Sequence, residues 1–103
     1  MSSEHFSFYV KGVQNYQHTI QKLNQDHILR AQLTHESIFY KNICYRVRAI
    51  TILYGNNIVG YVPRKYIRQM IPYVDDSILI LQIKKVNDIY NVKVTPSFFY
   101  QEE

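Results

Sequence analysis

Phe6, Phe8 and Val10 alternate with Ser7, Tyr9 and Lys11, and this two-residue period predicts a half-buried strand ending at Gly12. Positions 14–26 are polar, with Ile20 and Leu23 three apart, and predict a loop carrying one helical turn around 18–24. In 28–34, Leu29, Ala31 and Leu33 fall on one face and Ile28, Arg30 and Gln32 on the other, as in a second strand. Positions 35–43 have no clear period and read as a loop or strand edge. The β-branched and aromatic run 44–54 predicts a strand. Tyr54-Gly55-Asn56-Asn57 is a turn signal, and Ile58, Val59, Tyr61 and Val62 form a return strand, so 44–62 reads as a hairpin.

Pro63 suits the first position of a helix, where its missing N–H leaves no bond unmade. Ile67, Met70 and Ile71 then follow helical spacing, flanked by Tyr66 and Tyr73, with Arg64, Lys65 and Arg68 on the other side. Pro72 should end this helix near Met70 or Ile71. Asp75-Asp76-Ser77 is a loop. Ile78, Ile80 and Gln82 alternate with Leu79, Leu81 and Ile83, Asn87-Asp88 marks a turn, and 89–95 returns as a second hairpin closed by Pro96. Phe98, Phe99 and Tyr100 form an aromatic tail expected to fold back onto the body. The sum is an α+β chain, mainly β. It is expected to be a small OB-like or SH3-like barrel of about six strands with one or two short helices.

The 103 residues fit one domain, 1–103, with 1–5 and 101–103 expected to be flexible ends. A hydrophobic fraction of 47% with only 3 Gly and 3 Pro argues against disorder. A single thiol, Cys44, rules out an internal disulfide framework and a Cys-rich zinc fold, and fits a reducing cytoplasm. No basic segment followed by an apolar run opens the chain, and no stretch approaches the ~20 apolar residues of a membrane span, so a cytoplasmic protein without a membrane partner is expected. The net charge of +4, with 10 Tyr, points toward a polyanion, although such a charge also serves solubility.

Enzyme chemistry finds little support. His5, His18, His27 and His35 match no metal-ligand spacing, and surface or loop roles are expected for them. Cys44 lacks a nucleophile signature and is expected to be a small buried hydrophobe. Asp75 and Asp76 are adjacent and solvated, and neither phosphate-cradling glycine motif is present. No catalytic residue, metal or cofactor is therefore expected. Two features fit binding better. Pro63-Arg64-Lys65-Tyr66-x-Arg68 places cations at a helix start, where free N–H groups attract anions and where cations oppose the helix dipole unless a phosphate is present. Tyr16, Tyr45 and Tyr61 each have polar or basic neighbours, among them Gln14, Arg46, Arg48 and Arg64, and Tyr rings can stack on unpaired bases.

These residues resemble the HIRAN domain, a module found beside helicase-like translocases and alone in bacteria and phages. The similarity runs over about 8–94. Its strongest piece is Ala49-Ile50, a Gly-Asn turn, then Ile58-Val59-Gly60-Tyr61-Val62-Pro63-Arg64 ahead of a helix. A second piece is Tyr9-Val10-Lys11-Gly12-Val13-Gln14-Asn15-Tyr16. The resemblance implies a small β-barrel that binds single-stranded DNA, in the best-studied members at a 3′ end. It implies base contacts at Tyr16 and Tyr45, and phosphate contacts at Tyr61 and the Arg64-Lys65 helix start. Where the family has an Asp after the aromatic, this chain has Arg46, a pure donor that cannot accept from a 3′-hydroxyl, and Arg46 and Arg48 suit phosphate instead. The expected function is a non-catalytic grip on single-stranded DNA by Gln14, Tyr16, Tyr45, Arg46, Arg48, Tyr61, Arg64, Lys65 and Arg68. The alternative is a protein-interaction or inhibitor module, from a phage or mobile element, that keeps the barrel without strand-end recognition and touches a protein partner.

Overall fold

The computed structural model describes residues 6–100, so the expectation of flexible ends lies outside the described residues. Six strands form one antiparallel sheet: β1 (Phe8–Tyr9), β2 (Ile28–Tyr40), β3 (Ile43–Tyr54), β4 (Asn57–Tyr61), β5 (Ser77–Val86) and β6 (Ile89–Pro96), in the spatial order β1-β6-β5-β2-β3-β4. Two one-turn helices accompany it, α1 (Gln17–Ile20) and α2 (Ile67–Met70). The chain is thus α+β and mainly β. The sheet is not a continuous closed ladder. Its two ends meet at a single bridge, where Lys11, just past β1, exchanges main-chain hydrogen bonds of 2.7 and 2.8 Å with Tyr61 at the end of β4.

One face of the sheet makes the core. Leu29 and Ala31 of β2, Ile50 and Ile52 of β3, Val59 of β4, Ile78 and Ile80 of β5, and Val92 and Val94 of β6 are buried together with Phe8, Val10, Val13, Ile20 and Met70. The alternation read from β5 breaks at a bulge between Ile80 and Gln82. An extra residue shifts parity, so Ile83 pairs with Val92 and packs on the core although it is an odd number of residues from Ile80. The β5–β6 turn is Asn87-Asp88, both at positive φ (52° and 65°), the conformation favoured in two-residue hairpins. Pro72 acts as the sequence predicts: α2 ends at Met70 and a 3₁₀ turn, Ile71–Tyr73, carries the proline. The aromatic tail folds back through a 3₁₀ turn, Ser97–Phe99, with Phe99 against Phe6 (5.9 Å) and Tyr73 (4.8 Å).

Two sequence expectations are corrected and a third is refined. Positions 35–43, expected as a loop or strand edge, are strand as far as Tyr40. β2 runs on to Tyr40 and turns through Lys41 and Asn42, both at positive φ (50° and 64°), directly into β3. The hairpin of 44–62 is real, but β3 pairs with β4 only between Thr51 and Tyr54, while it pairs with β2 from Ile43 to Leu53. β2 in turn pairs with β5 only at Ile28–Arg30. From about Thr34 to Ala49, therefore, β2 and β3 pair with each other alone and project as a two-stranded ribbon. The molecule is accordingly long, 52 × 35 × 25 Å, with a radius of gyration of 14.4 Å against about 13 Å for a compact chain of this size. Cys44 is exposed on that ribbon rather than buried, because its strand has left the sheet body. Leu33 likewise continues the core face in sequence but stands 44% exposed, past the point where the body covers it.

Candidate functional site

After β1 the chain must turn sharply beside Tyr61. Gly12 does this at φ 80°, where the backbone favours glycine, and a Cβ there would make ordinary contact with the Tyr61 ring at 3.4 Å. A 3₁₀ turn, Val13–Asn15, follows, closed by Asn15 N–H to Gly12 O (3.1 Å) and Tyr16 N–H to Val13 O (2.9 Å). Gln17 pins this segment to β6. Its Nε2 donates to Val13 O (2.9 Å) and Tyr90 O (3.0 Å), and its Oε1 accepts from Tyr90 N–H (2.8 Å). Tyr16 is held so that its hydroxyl meets that of Tyr61 at 2.9 Å, with the rings edge to face at 6.0 Å.

Beside this tyrosine pair lies a partly open cavity of about 280 Å³, with Lys11, Gln14, Asn15, Tyr61, Glu36 and Arg64 along its walls. Its floor includes Ala49 of β3 and Ile67 of α2. Arg64 Nη2 donates to Glu36 Oε1 at 2.7 Å, and both side chains are about half exposed (57% and 50%). A pair this exposed holds little energy and is screened by salt, so the Arg64 guanidinium can exchange Glu36 for another anion. Fixed cations, amide donors and one aromatic pair around a cavity can hold a phosphate and pack against a planar ring.

Among the described residues, Tyr61 has the one strongly shifted acidity. The hydrogen bond to Tyr16 comes first, then burial, then the charges of Tyr16 and Glu36, and together they push its hydroxyl up from 10 to about 12. It is a neutral phenol at physiological pH and no base or nucleophile. Because the folded state holds this proton more tightly than the unfolded chain, the stabilisation is complete below pH 10 and is lost as pH rises from 10 through 12. We expect ultraviolet titration to show one phenol ionising late, near pH 12, and Tyr61→Phe to remove that component. A spectrum identical to wild type would refute the assignment.

Four of the sequence-predicted residues gather here: Gln14, Tyr61 and Arg64 on the cavity, and Tyr16 bonded to Tyr61. The others do not join them in one surface. The β2–β3 register pairs Ser37 with Arg46 and His35 with Arg48, but Ile38 with Tyr45 and Glu36 with Val47. Directly paired residues share a face and successive residues alternate. Tyr45 is therefore on the cavity side of the ribbon with Glu36 and Ala49, while Arg46 and Arg48 are on the opposite side. The helix start is also not a set of free cations over open N–H groups. Residues Arg64–Tyr66 form a 3₁₀ turn rather than an α-helical first turn, Arg64 is bonded to Glu36, and Lys65 lies over the Tyr66 ring at 5.1 Å. Arg68 is exposed on α2. Lys11, Asn15 and Glu36 line the cavity without having been singled out as site residues. Nothing in the hydrophobic pattern around Glu36 marks it, because 35–43 has no clear period.

Among the described residues no cluster of His, Cys, Asp or Glu could hold a metal ion, no buried polar side chain lacks a partner, and no helix is long and apolar enough to cross a membrane. No family model, curated protein or solved structure matches the chain.

Proposed function

We propose that the chain is a non-catalytic module that binds single-stranded nucleic acid, DNA above all, at the cavity beside the Lys11–Tyr61 bridge. One juxtaposition carries the reading: the bridge, the Gly12 turn and the Gln17 clamp bring Tyr16, Tyr61, Gln14, Lys11 and Arg64 around a single cavity. Tyr16, Tyr61 and Arg64 are residues through which the HIRAN resemblance implies DNA contact, Gln14 belongs to the same expected set, and Lys11 is added by its place on the cavity. In this reading the curled sheet is a small barrel brought to closure by the bridge. A base packs against the tyrosine pair and hydrogen-bonds Gln14. Its phosphate takes the place of Glu36 on Arg64, with Lys65 and Arg68 of the next turns attracting the following phosphates and Tyr45 flanking the cavity on the ribbon.

Four cations on or next to the cavity, Lys11, Arg64, Lys65 and Arg68, give a single-strand salt slope of about −2.8, so affinity should fall about 50-fold between 50 and 200 mM salt. Fluorescence-anisotropy titration of a labelled oligonucleotide at the two concentrations measures it. Failure to bind at the lower salt would falsify the proposal. A protein-interaction module is the reading left standing in that case. It is favoured by the apolar side of the ribbon, where Tyr40, Ile43 and Tyr45 are 61%, 53% and 46% exposed.

A further inference from the structure

The ribbon side that faces away from the cavity carries Arg46, Arg48, His35 and Ser37, and at its outer end Phe39 beside Cys44. Phe39 is 77% exposed, the most exposed large hydrophobic residue among those described. No ion pair engages Arg46 or Arg48 among the described residues. The sequence associated Tyr45 with these arginines. The register gives them Phe39 instead, one position diagonal to Arg46 across the two strands, within reach of an aromatic side chain. Two unpaired guanidinium groups and an exposed ring in line make a cationic stacking strip. Arg48, Arg46 and the Cys44–Phe39 pair succeed one another at ~7 Å, over ~14 Å in all.

The strip and the cavity lie on opposite sides of β3 and adjoin across its edge. Ala49 forms part of the cavity wall, and Arg48 is the residue before it. Between them lies the edge of β3, where the Ile50 carbonyl accepts from Val62 N–H at 2.9 Å and no strand pairs along that edge from Ala49 outward to Ile43 among the described residues. A chain leaving the cavity can cross that open edge with no strand in its path.

We propose that the ribbon is a second contact surface for the same single strand. The strand leaves the cavity over the free edge of β3, its phosphates pair with Arg48 and then Arg46, and a base stacks on Phe39. The inference rests on the nucleic-acid reading above and adds to it the direction of the strand, a longer footprint and Phe39 as a binding residue.

The test compares oligonucleotides of about 4 and about 16 nucleotides, the span of site sizes for small single-strand-binding barrels. It uses the full chain, Phe39→Ser, the double variant Arg46→Ser with Arg48→Ser, and Tyr40→Ser on the opposite side. These positions are exposed, and thermal melts check that each variant folds. Wild type should bind the long strand at least tenfold more tightly than the short one. Phe39→Ser and the double variant should each lose about tenfold on the long strand and nothing on the short one. The double variant should also have a salt slope shallower by about 1.4, the share of two phosphate contacts. Tyr40→Ser should match wild type on both. If the ribbon variants keep the long-strand advantage, or if Tyr40→Ser loses it equally, the inference is overturned while short-strand binding still supports the cavity. If neither oligonucleotide binds wild type, both proposals fall.

Discussion

Gly60→Ala is expected to destabilise the protein by about 3 kcal/mol, the upper part of the range for overpacked sites. In a chain of this size that lowers the melting temperature by ~12–20 °C. Gly60 lies opposite Ile52, one residue before the bridge, and a Cβ there would stand 2.5 Å from the Lys11 carbonyl oxygen and overlap Val10 Cγ1. Neither neighbour can yield cheaply. The carbonyl is fixed by the Tyr61 N–H at 2.8 Å, and Val10 is a buried core residue whose own N–H is bonded to Val92 O at 2.9 Å. The substitution must separate β4 from the segment after β1, which is the one place where the ends of the sheet meet. Gly55→Ala is the control. It has nothing within 4 Å and a φ of +60°, so it should cost only the ~1 kcal/mol of a left-handed alanine. Thermal melts of the two variants side by side measure the difference, and equal losses would show that the bridge contact carries no special weight.

The second large effect is on affinity. Tyr61→Ala should weaken single-strand binding by about 1–3 kcal/mol, the usual cost of removing one stacking ring, or roughly fivefold to more than a hundredfold. The bridge itself uses the main-chain N and O of Tyr61, so alanine leaves those two hydrogen bonds in place. The loss of the ring also leaves Tyr16 without its hydroxyl partner and its edge contact. Tyr61→Phe separates these contributions. It keeps the ring and drops the hydroxyl, and affinity should remain near wild type while the late phenol titration disappears. Anisotropy titrations of all three proteins at one salt concentration decide the matter. An alanine variant within twofold of wild type would show that the ring does not touch the ligand.

Several elements could be read from residue order because local chemistry and burial agree there. Asn87-Asp88 is a turn by composition and by backbone, and β5 and β6 alternate on either side of it. The Gly55 turn and the Pro72 stop are of the same kind. The β2–β3 ribbon was missed for a physical reason. Lys41-Asn42 takes the same positive-φ turn without a glycine to mark it, and the flanking residues have no buried face to impose a hydrophobic period. The two bulges, between Ile52 and Leu53 and between Ile80 and Gln82, follow from sheet curvature and leave no composition signal. For the site, single residues were legible and their grouping was only partly so. The separation of Tyr45 from Arg46 and Arg48 was implicit in strand parity, since adjacent residues of a strand must face opposite ways. The pairing of Glu36 with Arg64 is not legible in residue order, because 35–43 has no period that assigns Glu36 a side.

The ribbon's independence from the sheet body has an evolutionary consequence. Its two strands pair only with each other beyond Thr34 and Ala49, so insertions or deletions near the Lys41-Asn42 turn change its reach without disturbing the core. Tyr45, Arg46 and Arg48 lie between that turn and the pairs anchored in the sheet body, so they keep their sides whatever is added beyond them. Each residue added to both strands extends the ribbon by ~3.4 Å. Its length can therefore vary at the tip while the two faces nearer the body stay as they are.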